Sequence, residues 1–375
     1  MKNTIYFLFL LPFLAFNSCQ EPKETKHITT EPFGEIDGKE VFLHTLTNST
    51  GSQVKITNFG AKVVWIAVPD KNGEIENITF GYETLADYQA GDAYFGSVVG
   101  RYANRIAKGQ FTLDDQVYNL AINNEPNTLH GGPGGWHSQV WEVEETTFNE
   151  RPALHYVYNS PDGEEGYPGN MKAEVFYSWT DDQQLIINYI VSTDRKSVVN
   201  ITNHAYFNLK GAGEGDILDH EMQIFASTFT PVDSTLIPTG ELRPVEGTPF
   251  DFRESHLVGE RIEDPYDQLI LGRGYDHNFV LDHPGDLEVD AIVYEETSGR
   301  QIEMRTDQPG VQFYCGNFLD GTQKGHGGKT YQHRGGLCLE TQQFPDSPNQ
   351  PDFPSVIVEP DKPFTSYTIY KFTIR

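Results

Sequence analysis

From Phe33 to the C-terminus the chain is written in short runs in which apolar and polar residues alternate. Val54 and Ile56 form one such set, and Ala61, Val63, Trp65 and Ala67 another. Leu185, Ile187, Tyr189 and Val191 repeat the pattern, as do Val311, Phe313 and Cys315, and the stretch from Tyr367 to Ile374 reads as a terminal strand. A period of two places each set on one core-facing side of a strand. Turn signals separate the runs: Lys71-Asn72-Gly73, Pro161-Asp162-Gly163 and Thr297-Ser298-Gly299. Many short strands with such spacing predict an all-β chain folded as a large sandwich, not a series of βαβ units. One segment, about Thr84 to Gln89, reads as a short helix. There is no internal repeat, no heptad pattern and no composition break, so residues 33–375 read as one domain.

The front of the chain breaks this pattern. Ile5 to Phe16 is an apolar run interrupted only by Pro12, shorter than the ~20 residues a spanning helix needs. After Lys2 it reads as the core of a secretory signal covering residues 1–19. It ends in Ala15-Phe16-Asn17-Ser18-Cys19, where a small residue directly before a cysteine resembles a bacterial lipobox and makes Cys19 a candidate for lipid attachment. Phe16 and Asn17 depart from the small aliphatics usual there, and a soluble exported protein cut nearby is the alternative. Residues 20–32, with Pro, Lys, Glu and Thr and little to bury, read as a polar tether. The expected location is a bacterial cell envelope, with the membrane met only through the lipid.

Composition sharpens the picture. Tyrosine (19), phenylalanine (24), glycine (35) and proline (22) favour strands and turns over a helix bundle. The net charge of −27 gives nucleic acid no basic face to meet and reads as a solvated acidic surface. Behind the signal only Cys315 and Cys338 remain, both in apolar runs. They read as two buried thiols, with one bridge between neighbouring strands as the alternative.

Against this background a few polar residues stand out. Glu340 closes the run Gly335-Gly336-Leu337-Cys338-Leu339-Glu340. In a strand, Cys338 and Glu340 share one face, and Leu337 and Leu339 the other. It is either a strand-end acid in solvent or a general base in a cleft, where partial burial raises its basicity. His204, in Asn203-His204-Ala205-Tyr206-Phe207-Asn208, is either a hydrogen-bonded core histidine or a general acid. His130 is followed by Gly131-Gly132-Pro133-Gly134-Gly135; glycines let backbone approach a ligand, and the bland reading is a surface turn. Asp276 is an acceptor for paired hydroxyls that, near His204, would help keep the imidazole charged. Arg105 offers a forked donor. For both the alternative is a surface ion pair. Such a set can move protons on a neutral, hydroxyl-rich molecule without a cofactor.

Other motifs fail. Gly328-Lys329-Thr330 lacks the glycine a phosphate loop needs five residues earlier, where Gln323 stands. Gly211-Ala212-Gly213-Glu214-Gly215 fits a hairpin loop and not a dinucleotide fingerprint. No His-Glu-x-x-His or Cys-x-x-Cys implies a metal, and no Gly-x-Ser-x-Gly elbow implies a serine hydrolase.

Several longer runs occur in one order: VVGRYANRIAKG, INNEPNTLHGG, SPDGEEGYPG, NITNHAYFNL, PVDSTLIPTG, YDHNF, QPGVQFYCGNFLDGT and CLETQQFPDSPNQPDFP. Together they resemble the aldose 1-epimerase family, also called galactose mutarotases, from near Phe33 to the C-terminus. The resemblance implies a large antiparallel β-sandwich of the galactose mutarotase-like supersandwich type, with few short helices and a cleft on one broad face. It implies Glu340 as base and His204 as acid, with Arg105, Asn104, His130, Asp276 and Gln312 binding sugar hydroxyls. The partner is then a free aldohexose such as galactose or glucose, and neither cofactor nor metal is expected. Members of the family are commonly cytoplasmic, so the export-like front segment is a departure from it.

Three rival readings share these residues. An envelope-anchored sugar-binding module would use the cleft without turnover, but needs neither Glu340 nor His204 as such. A hexose-phosphate epimerase would need further cations around the cleft, where only Arg105 is evident. A purely structural role explains neither the glycine-flanked His130 nor Glu340.

Overall fold

The computed structural model describes Met1 and residues 28–375 except 92 and 287. The expected signal, the lipid-attachment candidate Cys19 and most of the expected tether therefore lie outside the described residues. The tether's far end is corrected. Residues Ile28–Ile36 form a strand paired antiparallel with Lys39–Thr47, so ladder structure begins before residue 33. This is an edge strand, with backbone partners on one side and mostly exposed side chains. Its polar composition hides it from a search for buried alternation, because its ladder hydrogen bonds, and not apolar burial, place it.

Three antiparallel sheets make the body. A five-stranded sheet follows chain order from Ile28–Ile36 to Ile75–Asn77. A nine-stranded sheet runs from Glu142–Phe148 to His256–Leu257, with the C-terminal strand Phe364–Ile374 inserted between Gln184–Thr193 and Arg300–Thr306. A six-stranded sheet runs in the order Tyr206–Phe207, Leu337–Gln342, Gly310–Tyr314, Asp276–Val280, Thr228–Phe229, Arg243–Pro244. A bridge between Thr79 and Phe207, with Phe80 N–H donating to the Tyr206 carbonyl, stitches the five- and six-stranded sheets together. The main core lies between these two and the large sheet: Val54 and Ile56 from one, Phe279, Phe313 and Leu339 from another, Tyr156, Tyr177, Ile187 and Tyr189 from the third. Each such side chain contributes roughly 1.5–3 kcal/mol on burial. This is the expected sandwich, with helix among the described residues confined to Leu85–Ala90, Asp267–Gly272 and single 3-10 turns. Thr84 caps the first helix, its hydroxyl accepting from Asp87 N–H at 3.3 Å. The second, six residues long, is too short to carry a helical period in the sequence.

One expected strand departs from strict alternation. In Lys62–Pro69 the main-core residues are Ala61 and Val63, then Ile66 and Val68, while Val64 packs into a separate cluster with Phe59, Phe80 and Tyr88. A β-bulge causes the switch: Ile56 pairs Val63, but Lys55 pairs Trp65. One extra residue on one strand turns every later side chain to the opposite face. Cys315 and Cys338 are free, buried thiols. No helix among the described residues is long and apolar enough to cross a membrane.

Candidate active site

The six-stranded sheet has two unlike faces. Pairing sets Gln312 opposite Glu340 and Asn278, and Tyr314 opposite Asp276 and Cys338. Tyr206 lies opposite Cys338. Alternation therefore points Asp276, Gln312, Tyr314 and Glu340 outward together, while Phe279, Phe313, Leu337 and Leu339 point into the main core. Glu340 is not a solvent-facing acid: it is 2% exposed. The expected division of Cys338 and Glu340 from Leu337 and Leu339 holds.

Two further loops close over the outward face. His204 follows the short strand Thr202–Asn203 and is fixed by its backbone, its N–H donating to Ser97 O and its carbonyl accepting from Gly96 N–H, both at 2.9 Å. The other loop carries Asn104, Arg105 and His130. Arg105–Ile106 pairs Thr128–Leu129, and Asn104 N–H donates to His130 Nδ1 at 3.1 Å, leaving Nε2 for the pocket. Gly131, at φ +83°, passes under the Gly100 carbonyl so closely that a Cβ would sit 2.0 Å from its oxygen. Only glycine permits that approach.

The result is a cavity of about 380 Å³ lined by Asn104, Arg105, His130, His204, Asp276 and Glu340, among others. His204 Nε2 stands 3.6 Å from Glu340 Oε1, and its Nδ1 faces Cys338 Sγ at 3.5 Å. Glu340 Oε2 has no hydrogen-bond partner among the described residues. A buried carboxylate oxygen without a donor is costly unless a ligand completes it. Gln312, expected to meet a ligand, instead lies behind the lining and donates from Nε2 to Asp276 Oδ1 at 2.7 Å. Arg105 is no surface ion pair: it is buried, with Nε donating to Asn124 Oδ1 at 3.0 Å.

Burial governs the electrostatics. It pushes the Glu340 carboxyl well above its ordinary range, Asp276 adding to the effect and Arg105 opposing it. It pulls His204 down to about 4 and His130 well below its usual value, the latter helped by the charges of His204 and Arg105. Asp276 was expected to hold His204 charged. It acts instead on Glu340, and its own carboxyl is raised by burial against the pull of Arg105. The dry pocket thus favours an uncharged Glu340–His204 pair holding one proton.

Sequence reasoning missed several lining residues: Tyr94, Asn123, Asn124, Tyr206, Tyr314 and Phe318. Tyr206 and Tyr314 each follow a recognised site residue by two positions, and strand alternation would have placed them on the same face. Tyr94, at φ +57°, carried no signal; its ring lies 4.6 Å from that of His130 and 6.0 Å from that of His204. No metal motif exists in the sequence, yet the fold gathers one donor atom each from His130, His204 and Glu340 within 4.8 Å of one another, near enough to hold an ion. Such a set arises from folding and not from local spacing, so no motif search finds it.

Comparisons with known proteins bear on this arrangement. The family profile described as Aldose 1-epimerase matches residues 43–371. Galactose mutarotase of Rattus norvegicus is 42% identical over 92% of this chain and 99% of its own length, and that of Homo sapiens 44% identical over 86% and 91%. Aldose 1-epimerase of Escherichia coli is 37% identical over 90% of this chain and 96% of its own. Among solved structures, an aldose epimerase homologue from C. elegans superposes with a TM-score of 0.81 at 30% identity, covering 88% of this chain and 98% of that one. These relatives overturn the expected placement in a bacterial cell envelope. Those at 42–44% identity are mammalian proteins, not proteins of such an envelope. The apolar front segment that prompted the placement and the lipid-attachment candidate Cys19 lie outside the described residues.

Proposed function

The chain belongs to the aldose 1-epimerase family, and on that premise we propose that Glu340 and His204 are the base and acid with which it opens and recloses aldose rings. It is an isomerase interconverting the α and β anomers of free aldohexoses. To open a pyranose, a proton must leave the C1 hydroxyl while another reaches the ring oxygen. Glu340 takes the first and His204 gives the second. The aldehyde then turns about C1–C2 and recloses on its other face, with the two roles reversed. The observation that carries this reading is the 3.6 Å contact of His204 Nε2 with Glu340 Oε1, buried in a cavity of sugar size.

The pair's electrostatics fit the cycle. Ring opening converts a carboxylate and an imidazolium into a carboxylic acid and a neutral imidazole, and burial favours that uncharged pair. Burial stabilises the uncharged resting pair as much as the opened state, so Arg105, which pulls the Glu340 carboxyl down, assists the shift of the shared proton to His204 that precedes opening. Arg105, Asn104, His130 and Asp276 bind the hydroxyls, and Gln312 serves by orienting Asp276. Residues 28–375 are assigned to one domain, in keeping with a single family match over 43–371. Galactose and glucose are the substrates to try first.

The test is polarimetry on freshly dissolved α-D-galactose and α-D-glucose. The protein accelerates the approach to equilibrium rotation, and Glu340→Gln, verified as folded, removes that acceleration. Undiminished rotation by the folded variant would refute the assignment of the base. Binding without any acceleration by the native chain would favour the sugar-binding module instead.

A further inference from the structure

Behind Tyr94 lies a second cavity, of about 330 Å³, that the reaction does not use. Tyr94 and Asn123 line both chambers. The Tyr94 ring stands 4.8 Å from that of His137 and 4.6 Å from that of His130, which line the second and the catalytic chamber respectively. The lining of the second chamber includes the exposed residues Gln89 and Pro133. Its volume is on the order of ten times the ~30 Å³ of one water, so it is more than a packing defect.

What lines it is unusual. Lys62 is 4% exposed and forms no ion pair among the described residues, in a chain with 54 acidic side chains. Its Nζ donates to the His137 carbonyl and lies 4.1 Å from the centre of the Phe59 ring. Ser97 is fully buried and its Oγ has no hydrogen-bond partner, and neither has His137 Nδ1. All four residues face the same cavity. A buried cation without a counter-ion is ordinarily expelled by selection, and buried hydroxyls are ordinarily satisfied. A buried hydroxyl and a buried ring nitrogen, without partners among the described residues and set beside an amine with no ion pair among them, line one cavity and mark a place where a ligand completes the set.

We propose that this chamber is a second binding site, distinct from the catalytic pocket, for a monocarboxylate of sugar-acid size, its oxygens accepting from Lys62 Nζ and Ser97 Oγ. One cation with no acidic residue among the described lining matches one negative charge; a phosphate group, near −2, would call for more. The aromatic walls of Phe59, Tyr82 and Tyr88 leave room for a body beyond the carboxylate. The state of the amine agrees: burial alone pulls Lys62 down to about 7, and an anion beside it would restore its charge. Occupancy also bears on the catalytic side. Asn123 brackets Leu129, the residue before His130, accepting from its N–H at 2.7 Å and donating to its carbonyl at 3.0 Å.

The proposal rests on this chamber alone and stands whether or not Glu340 and His204 act as assigned. The experiment is calorimetric titration of the full chain with sodium D-gluconate, which has no anomeric centre, in saturating D-galactose. Sorbitol, its neutral counterpart, and inorganic phosphate are run alongside. One equivalent of gluconate is expected to bind while sorbitol gives no heat. Lys62→Met is expected to weaken gluconate by at least about tenfold, and Ser97→Ala by about fivefold, as loss of a charged and a neutral hydrogen bond requires. Lys62→Met removes a buried charge and keeps a similar shape, so it should fold at least as well as the native chain. Equal gluconate binding by native chain and Lys62→Met, no gluconate heat in the native chain, or phosphate binding more tightly than gluconate would each overturn the proposal.

Discussion

The two faces of the six-stranded sheet are built from the same strands and do opposite work. Inward, Phe279, Phe313, Leu337 and Leu339 join one continuous apolar core. Outward, at an odd number of residues from these along the same strands, Asp276, Gln312 and Glu340 are also buried but polar. The inner face gains free energy from exclusion of water, while the outer face spends some of that gain holding a carboxyl with a bare oxygen. Stability and reactivity are thus separated by a single step of the pleat, and substitution can address either one alone.

The sharpest way to break this contrast is His204→Asn. It should lower the rate of mutarotation by about 10² to 10⁴, the usual share of one positioned acid or base, with little change in unfolding midpoint; polarimetry and calorimetry on the same sample would show it. Phe313→Ala on the opposite face should do the reverse. About 3–5 kcal/mol of stability is lost in denaturant titration, while turnover per folded molecule stays near native. A catalytic defect equal to that of His204→Asn would mean that the two faces are not separable.

Acid should reveal both faces at different pH. His277, fully buried beneath Phe250, is pulled down to about 3, and His204 to about 4. Both are neutral in the fold, whereas the unfolded chain protonates them near 6.5. Below 6.5 the unfolded chain therefore holds more protons, so their contribution is present above that pH and drains away as it falls toward 4 and 3. Thermal scans should show stability falling steadily across that window. Activity should hold until pH nears 4, where a second proton joins the Glu340–His204 pair; a rate already halved at pH 6 would contradict the low imidazole value. The mildest effect is expected of Gln312→Ala. Asp276 loses its 2.7 Å donor, KM rises several-fold, about the ~1 kcal/mol of one hydrogen bond, and kcat changes little.

Legibility in the sequence followed the same division. Runs with one face in the core and the other half-exposed, such as Leu185 to Val191, declared themselves by alternation. Gly310–Tyr314 and Asp276–Val280 are almost wholly buried on both faces, so only the chemistry of their residues distinguishes one side from the other. The bulge at Lys55–Ile56 and the edge strand Ile28–Ile36 escaped because backbone pairing, not side-chain burial, decides them. Glu340, His204, His130, Asp276 and Arg105 stand out individually in the sequence, Asn104 only through the family resemblance, and the fold gathers all six around one cavity. Tyr94 and Lys62 do not stand out, since an aromatic ring and a lysine in an apolar run read as packing and surface until the chain is folded around them.

The strand Phe364–Ile374 occupies the middle of the nine-stranded sheet, flanked on both sides by segments synthesised before it. A nascent chain on the ribosome must keep Gln184–Thr193 and Arg300–Thr306 apart, with their unpaired edges open to other strands, until Phe364–Ile374 emerges. Assembly of the largest sheet is therefore deferred until that strand has been made, and a polypeptide lacking it would be left with two exposed edges and a gap between them.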